Sequence, residues 1–280
     1  MVSAAQTLKN IALTHKGKLA ATFSLVALEN LLILLYPLVG SFAVNAVLAG
    51  KVWHALAYAL MVLVIWLVGS ARRAVDTRAF VRIYADLAVK AVANERQKGS
   101  VSSASAHANL ARQFVDFFEE QLPTLITAAF SVLGAVFMLL MIEFWVGLIS
   151  LLILLGFSIV LPAYTRTNDH LYFKLNNRIE KEVGVIERNQ NRALNRHYGL
   201  LSRIRIAISN REAVSFLVIG ASMAVLFGSA LTILAQKNVQ AGHIYAVITY
   251  LWSFAMSLDD MPRLVEKFSE LKDVGNRVEI

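Results

Sequence analysis

Glu29 lies about ten residues into a long apolar run, beside Asn30 and a little before Pro37. An ionised carboxylate among lipid tails is costly, so it has to be protonated, paired or turned to a wet cavity. Pro37 removes the backbone bond to Ile33 and can kink the helix that carries Glu29. A carboxylate beside a kink suits a proton or substrate pathway, with Asn30 as its polar neighbour. The competing reading is a structural carboxylate, hydrogen-bonded across a helix bundle. Asp259 and Asp260 stand far along the chain, just before Met261 and Pro262. Neighbours on a helix point about 100° apart, so the two cannot line one face. Arg72 and Arg73, at the matching depth, are their expected partners. The four make a candidate inner gate, against the plainer alternative of interfacial charge.

Trp252 is a further candidate for the pathway. With Trp66, Tyr245, Tyr250 and Phe254 it either lines an amphipathic substrate route or faces lipid and neighbouring helices. His15, His54, His107, His170, His197 and His243 are far apart, and no pair has helical metal-ligand spacing. Cysteine is absent, which removes disulfides and thiolate metal sites. No Ser-His-Asp arrangement is readable. The expectation is a protein that is not an enzyme and carries no cofactor or metal.

The elements that hold these residues are apolar and long. Hydrophobic residues make up 57% of the chain and charged ones 16%, whereas a soluble domain carries about 45–50% and about 25%. A span needs about 20 mostly apolar residues to cross a core ~30 Å thick. Six stretches qualify: 19–48, 53–70, 122–142, 144–164, 213–235 and 243–262. The block 122–164 is too long for one crossing, and "MIEFWVGL" is its expected hairpin tip, with Glu143 at the surface and Trp145 as an interfacial anchor. Trp53 anchors the second span in the same way. Residues 1–18 are polar and basic, and the apolar block after them is too long for a signal-peptide core, so it reads as a retained first span. Gly220, Ala224 and Gly228 form a small-residue stripe on the fifth span, expected to pack closely on another helix.

Of the 27 Lys and Arg, only Lys51 and Lys237 fall on one side of these spans; the other 25 fall on the opposite side. Positive charge gathers in the cytoplasm. Both termini and both long connections, 71–121 and 165–212, are therefore expected there, in a multi-pass protein of a bacterial-type cytoplasmic (inner) membrane. The net charge of +8 then reflects topology, and nucleic acid is not an expected partner.

The connections read as helix. "RRAVDTRAFVRIYADLAVKAVANERQK" has no Pro or Gly and an apolar set at Val75, Ala79, Ile83 and Leu87. The second span should run on as one helix past the membrane. "GSVSSASAHANLA" breaks the pattern, "RQFVDFFEEQLP" resumes it, and the second connection has one turn candidate around Asn189 to Asn195. Val101 and Leu110 at the first turn, and Arg188, Arg192 and Leu194 at the second, make a candidate docking surface for a partner. The alternative is a solvated charged stalk.

Three stretches point to a family. "FWVGLISLLILLGFSIVLPAYTR", with Pro162 near its inner end, looks like a third-to-fourth-span hairpin. "KNVQAGHIYAVITYLWSFAMSLDDMPRL", with Gly242 before an apolar run, looks like a short external turn and sixth span. "VEKFSELKDVGNRVEI", with Arg277 near its end, looks like an amphipathic linker helix over 263–280. Together they resemble the six-helix transmembrane domain of ABC exporters, over nearly the whole chain as one domain, 1–280. Two features depart from that family. No G-x-x-x-x-G-K-[ST] occurs, so no phosphate-binding loop is present, and the first cytoplasmic turn lacks the Gly-Glu and Asp residues usual there. The resemblance implies an all-α membrane protein working as a homodimer in the lipid bilayer. It would move an amphipathic or peptide-like substrate with a separate ATPase subunit. Two alternatives stay open: a proton-coupled transporter with no ATPase, and a non-transporting scaffold or degenerate exporter domain.

Overall fold

The computed structural model describes residues 13–97, 112, 115–187 and 190–277. Among them every regular element is helical: α1 (Lys16–Leu48), α2 (Val52–Gln97), α3 (Leu122–Ile142), α4 (Phe144–Glu180), the short α5 (Glu182–Glu187), α6 (Asn191–Ala235) and α7 (Ala241–Arg277). A single π-helical turn, Phe117–Gln121, leads into α3. Lipid offers no partner for a free N–H or C=O, so apolar sequence of this length pairs its backbone internally. Side-chain hydroxyls obey the same constraint. Ser150, Ser222 and Ser257 each donate to the carbonyl four residues back, at 2.8–2.9 Å.

Five helical stretches are long and apolar enough to cross a membrane: α1, α2 to Val89, Phe118–Ile142, Phe144–Glu187 and α6. α7 is not among them, although its first part was expected to be the sixth span. The reason lies in its composition and its place. His243, Tyr245, Tyr250 and several hydroxyl residues dilute the apolar run, and α7 sits inside the bundle, against α1, α3, α4 and α6. Val247, Leu251 and Phe254 are fully buried, with Tyr250 and Leu258 nearly so. A helix that turns one face to four others, leaving Ile248, Trp252 and Met256 exposed on the other, shelters part of that polarity. The result is an all-α membrane protein of six long helices, one of them central.

The main core joins α3, α4, α6 and α7 around Leu139, Val146, Leu226, Ala230 and Phe254. A smaller core of Leu19, Phe80, Ile83, Val115 and Phe118 joins α1 and α2 to the start of α3. The hairpin tip falls where expected: α3 ends at Ile142, Glu143 alone is extended (φ −143°, ψ 85°), and α4 starts at Phe144. A Cβ at Gly147 would run into the Leu140 backbone, so only glycine permits this tight turn. Glu143, expected at the surface, is buried instead, at 4% exposure.

α2 spans 46 residues, about 69 Å at 1.5 Å per residue, so the second span does continue as one helix. The second turn comes earlier than expected, because α6 is already under way at Asn191. The amphipathic stretch after residue 262 continues α7 to Arg277 rather than forming a separate helix. Among the described residues the small-residue stripe makes no close contact: a Cβ at Gly220 or Gly228 would meet nothing within 4 Å.

Candidate functional site

Glu29 and Asn30 leave α1 on adjacent faces, and each finds a different helix. Asn30 is buried and donates from Nδ2 to the Val26 carbonyl at 2.8 Å and to Thr127 Oγ1 of α3 at 3.1 Å. Glu29 turns to α2, where the Arg72 guanidinium pairs with it. Gly69, one turn earlier on α2, makes room, since a Cβ there would stand 2.9 Å from Glu29 Oε1. Arg72 also reaches Asp76 Oδ2 at 3.6 Å, and the Asp76 side chain is 12% exposed. One cation thus lies between two carboxylates in the α1–α2 seam. Pairing of this kind is how ionisable groups are accommodated in membrane helices.

This pairing sets Glu29 level with Arg72. Arg72 lies roughly 30 Å along α2 from Val52, and Glu29 roughly 28 Å along α1 from Leu48. Both therefore sit near the far edge of a ~30 Å core when measured from the short loops. Counted from the short loops Glu29 comes out near a boundary, whereas counted from the start of the apolar run it comes out about 15 Å in. The expected inner-gate pairing is not the one that forms. Arg72 is taken by Glu29 and Asp76, Arg73 is exposed, and Asp259 and Asp260 are exposed. Among the described residues neither aspartate forms an ion pair. Asp76 was the nearer competitor because it stands one helical turn from Arg72, where side chains share a face.

Trp252 is 62% exposed and stacks edge-on against Phe227 of α6 at 6.1 Å. It faces outward from the bundle. Of its companions, Trp66 is also exposed, whereas Tyr250 and Phe254 are core. Tyr250 donates to the Leu34 carbonyl at 2.7 Å, three residues before Pro37. Pro37 loosens the ladder of α1 next to this carbonyl, and α7 supplies a hydroxyl there.

The short-loop end carries a second polar cluster. Buried Glu143 pairs with Lys237, from the α6–α7 loop, and lies 3.2 Å from His243 Nε2 on α7. Nearby, Asn45 accepts from the Gly242 N–H at 2.9 Å and donates to Gln240 at 2.8 Å. α7 approaches α1 so closely here that a Cβ on Gly242 would collide with the Ser41 carbonyl. Sequence reasoning missed Lys237, His243, Asn45 and Asp76. A signal existed for the first: Glu143 is the one acidic residue near the short loops, and Lys237 is one of only two cations there. Among the described residues no group of three His, Cys, Asp or Glu could hold a metal ion.

Of the expected docking residues, Arg192 is exposed and Leu194 partly buried, both in the first turns of α6. Val101, Leu110 and Arg188 lie outside the described residues. The short helix α5 adds two residues that were not foreseen, with Val183 66% and Ile186 51% exposed. The arrangement is an apolar bundle with ion pairs at two levels, one at the short loops and one in the α1–α2 seam, with long helices running past the second. No curated protein matches the chain. The family model of the ABC transporter transmembrane region matches residues 8–242, and the chain belongs to that family.

Proposed function

We propose that this chain is the membrane subunit of a transporter that moves an amphipathic or peptide-like substrate across the inner membrane. Two copies form the pathway, with both termini and the long extensions in the cytoplasm; the charge asymmetry, 25 of the 27 Lys and Arg on that side of the spans, supports this orientation. The energy comes from an ATPase outside these 280 residues, in this reading a separate subunit. The chain itself catalyses no reaction.

The observation that carries the reading is α5 between two long helices. α4 and α6 run well past a ~30 Å core and are joined by a six-residue helix that exposes Val183 and Ile186. In this reading the two exposed apolar groups are part of the surface that meets the ATPase. Arg192 at the start of α6 offers charge beside it. The homodimer is supported by the open Gly220–Ala224–Gly228 stripe, whose close contact is not made among the described residues.

Purification from native membranes in mild detergent tests the reading. An ATPase should co-purify, and Val183→Asp with Ile186→Asp should release it while the membrane bundle stays intact. Recovery of the chain without an ATPase, together with transport driven by an imposed pH gradient and abolished by Glu29→Gln, would favour the proton-coupled alternative. Normal transport by Glu29→Gln with misfolding of Glu29→Leu would leave Glu29 a structural group.

A further inference from the structure

We infer that a crevice between α4, α6 and α7 binds one anionic phospholipid from the leaflet beside the long extensions, with an acyl chain in the crevice and the phosphate on Arg211. The crevice encloses about 250 Å³. That is smaller than the roughly 300–1,000 Å³ of a site for a compact drug-sized ligand, and it suits a length of hydrocarbon chain. Its walls are apolar, including Phe157, Val160, Val214, Val218 and Leu258. Val160 and Val214 are each 61% exposed, so the crevice opens outward from the bundle, toward the place lipid occupies.

Arg211 is the single charged residue in the lining. Its Nε donates to Asn168 Oδ1 at 3.4 Å, a terminal nitrogen donates to the Tyr164 carbonyl at 3.3 Å, and the guanidinium lies 5.1 Å from the Tyr164 ring. These acceptors are neutral. They orient the guanidinium without cancelling its charge, and among the described residues no carboxylate pairs with it. A planar guanidinium held this way is suited to bind phosphate through paired hydrogen bonds.

Depth supplies the second argument. Arg166 is the first charged residue of α4, and Arg211 and Glu212 are the last of α6 before its apolar half. Tyr164 lies roughly 30 Å along α4 from Phe144, which places Arg211 and Tyr164 at the membrane boundary. Phe157 and Val218, about two turns further in, lie at the level of the acyl chains. Cation at the boundary and slot beneath it match one anionic lipid. The inference rests on the membrane reading of the fold and is independent of transport.

Native mass spectrometry of the full-length protein, equilibrated with equal amounts of phosphatidylglycerol and phosphatidylcholine, tests it. Phosphatidylglycerol should be retained preferentially. Arg211→Gln should lower that retention about fivefold, the effect of one basic residue near an anionic membrane surface, and Arg211→Lys should keep most of it. Val214→Trp, which fills the slot and leaves Arg211, should lower it too, whereas Arg166→Gln should leave it unchanged. Should Arg211→Gln fail to fold, Val214→Trp decides alone. Equal retention of the two lipids, or no effect of Val214→Trp, overturns the proposal. Displacement of the lipid by millimolar inorganic phosphate overturns it as well, because that would identify a simple anion site.

Discussion

The two ends of the bundle use the same chemistry in opposite proportions. At the short-loop end one carboxylate, Glu143, gathers Lys237 and His243; at the other, one guanidinium, Arg72, lies between Glu29 and Asp76. Glu143 reaches partners 94 and 100 residues away, and so ties the α3–α4 hairpin to the α6–α7 loop and to α7. Arg72 ties only α1 to α2, which are already neighbours in the chain. Close backbone contacts follow the same division, for Gly147 and Gly242 both lie near the short loops. Exposed apolar residues on α5 lie at the opposite end. One end is fastened within the chain, and the other leaves apolar surface exposed. The difference teaches that similar ion pairs carry different structural weight according to how many elements they join.

The sharpest way to break the comparison is Gly242→Val. Its side chain would collide with the Ser41 carbonyl and force α7 off α1, costing more than the roughly 1–3 kcal/mol of ordinary overpacking. Little monodisperse protein should survive size-exclusion chromatography in mild detergent. Glu143→Ala comes next, at about 3 kcal/mol, the lower range for removing one partner of a buried pair. Lys237 is partly exposed and water takes up part of the loss. Thermal unfolding in detergent should show a clear fall, and Glu143→Ala in a Lys237→Met background should cost less than in the wild type. Arg72→Met should cost about 2 kcal/mol, since it leaves Glu29 and Asp76 facing each other across a seam that is less than a quarter exposed. If it destabilises more than Glu143→Ala, the ranking of the two ends is wrong. Asn30→Ala is the smallest, near the ~0.6 kcal/mol average and below the ~1.7 maximum for interhelical hydrogen bonds in membranes; disulfide crosslinking between α1 and α3 would show whether they still pack in register.

Much of the fold was legible because membrane insertion writes itself into composition. Long apolar runs pointed to six spans, and five helices among the described residues are span-capable by length and composition; the tip at Glu143 followed from a block too long for one crossing. α7 was less legible. Its polarity reads as a weaker span until its burial among four helices is known. The candidate site was legible in part: Glu29 and Arg72 were both singled out, but as members of different pairs. Depth counted from the start of the first apolar run and depth counted from the short loops disagree for Glu29, because α1, at 33 residues, is longer than one crossing requires. The small-residue stripe on α6 was expected to pack closely on another helix, and no such contact forms among the described residues; nothing in a pattern says which helix will meet it.

The sequence by itself determined that the chain is helical, that it is a membrane protein, and that its basic residues divide unequally across the spans. These follow from local and additive properties: a lipid core leaves the backbone no partner but itself, and charge placement needs only counting. Tertiary structure decided the rest: that Arg72 meets Glu29 and Asp76 rather than Asp259 or Asp260, that Glu143 is buried under Lys237 and His243, and that α7 is central. A helix offers a charged side chain every possible direction around its axis. Which direction is filled depends on the rotation and depth at which two helices pack, and those are set by shape across the whole interface, not by the residues that end up paired.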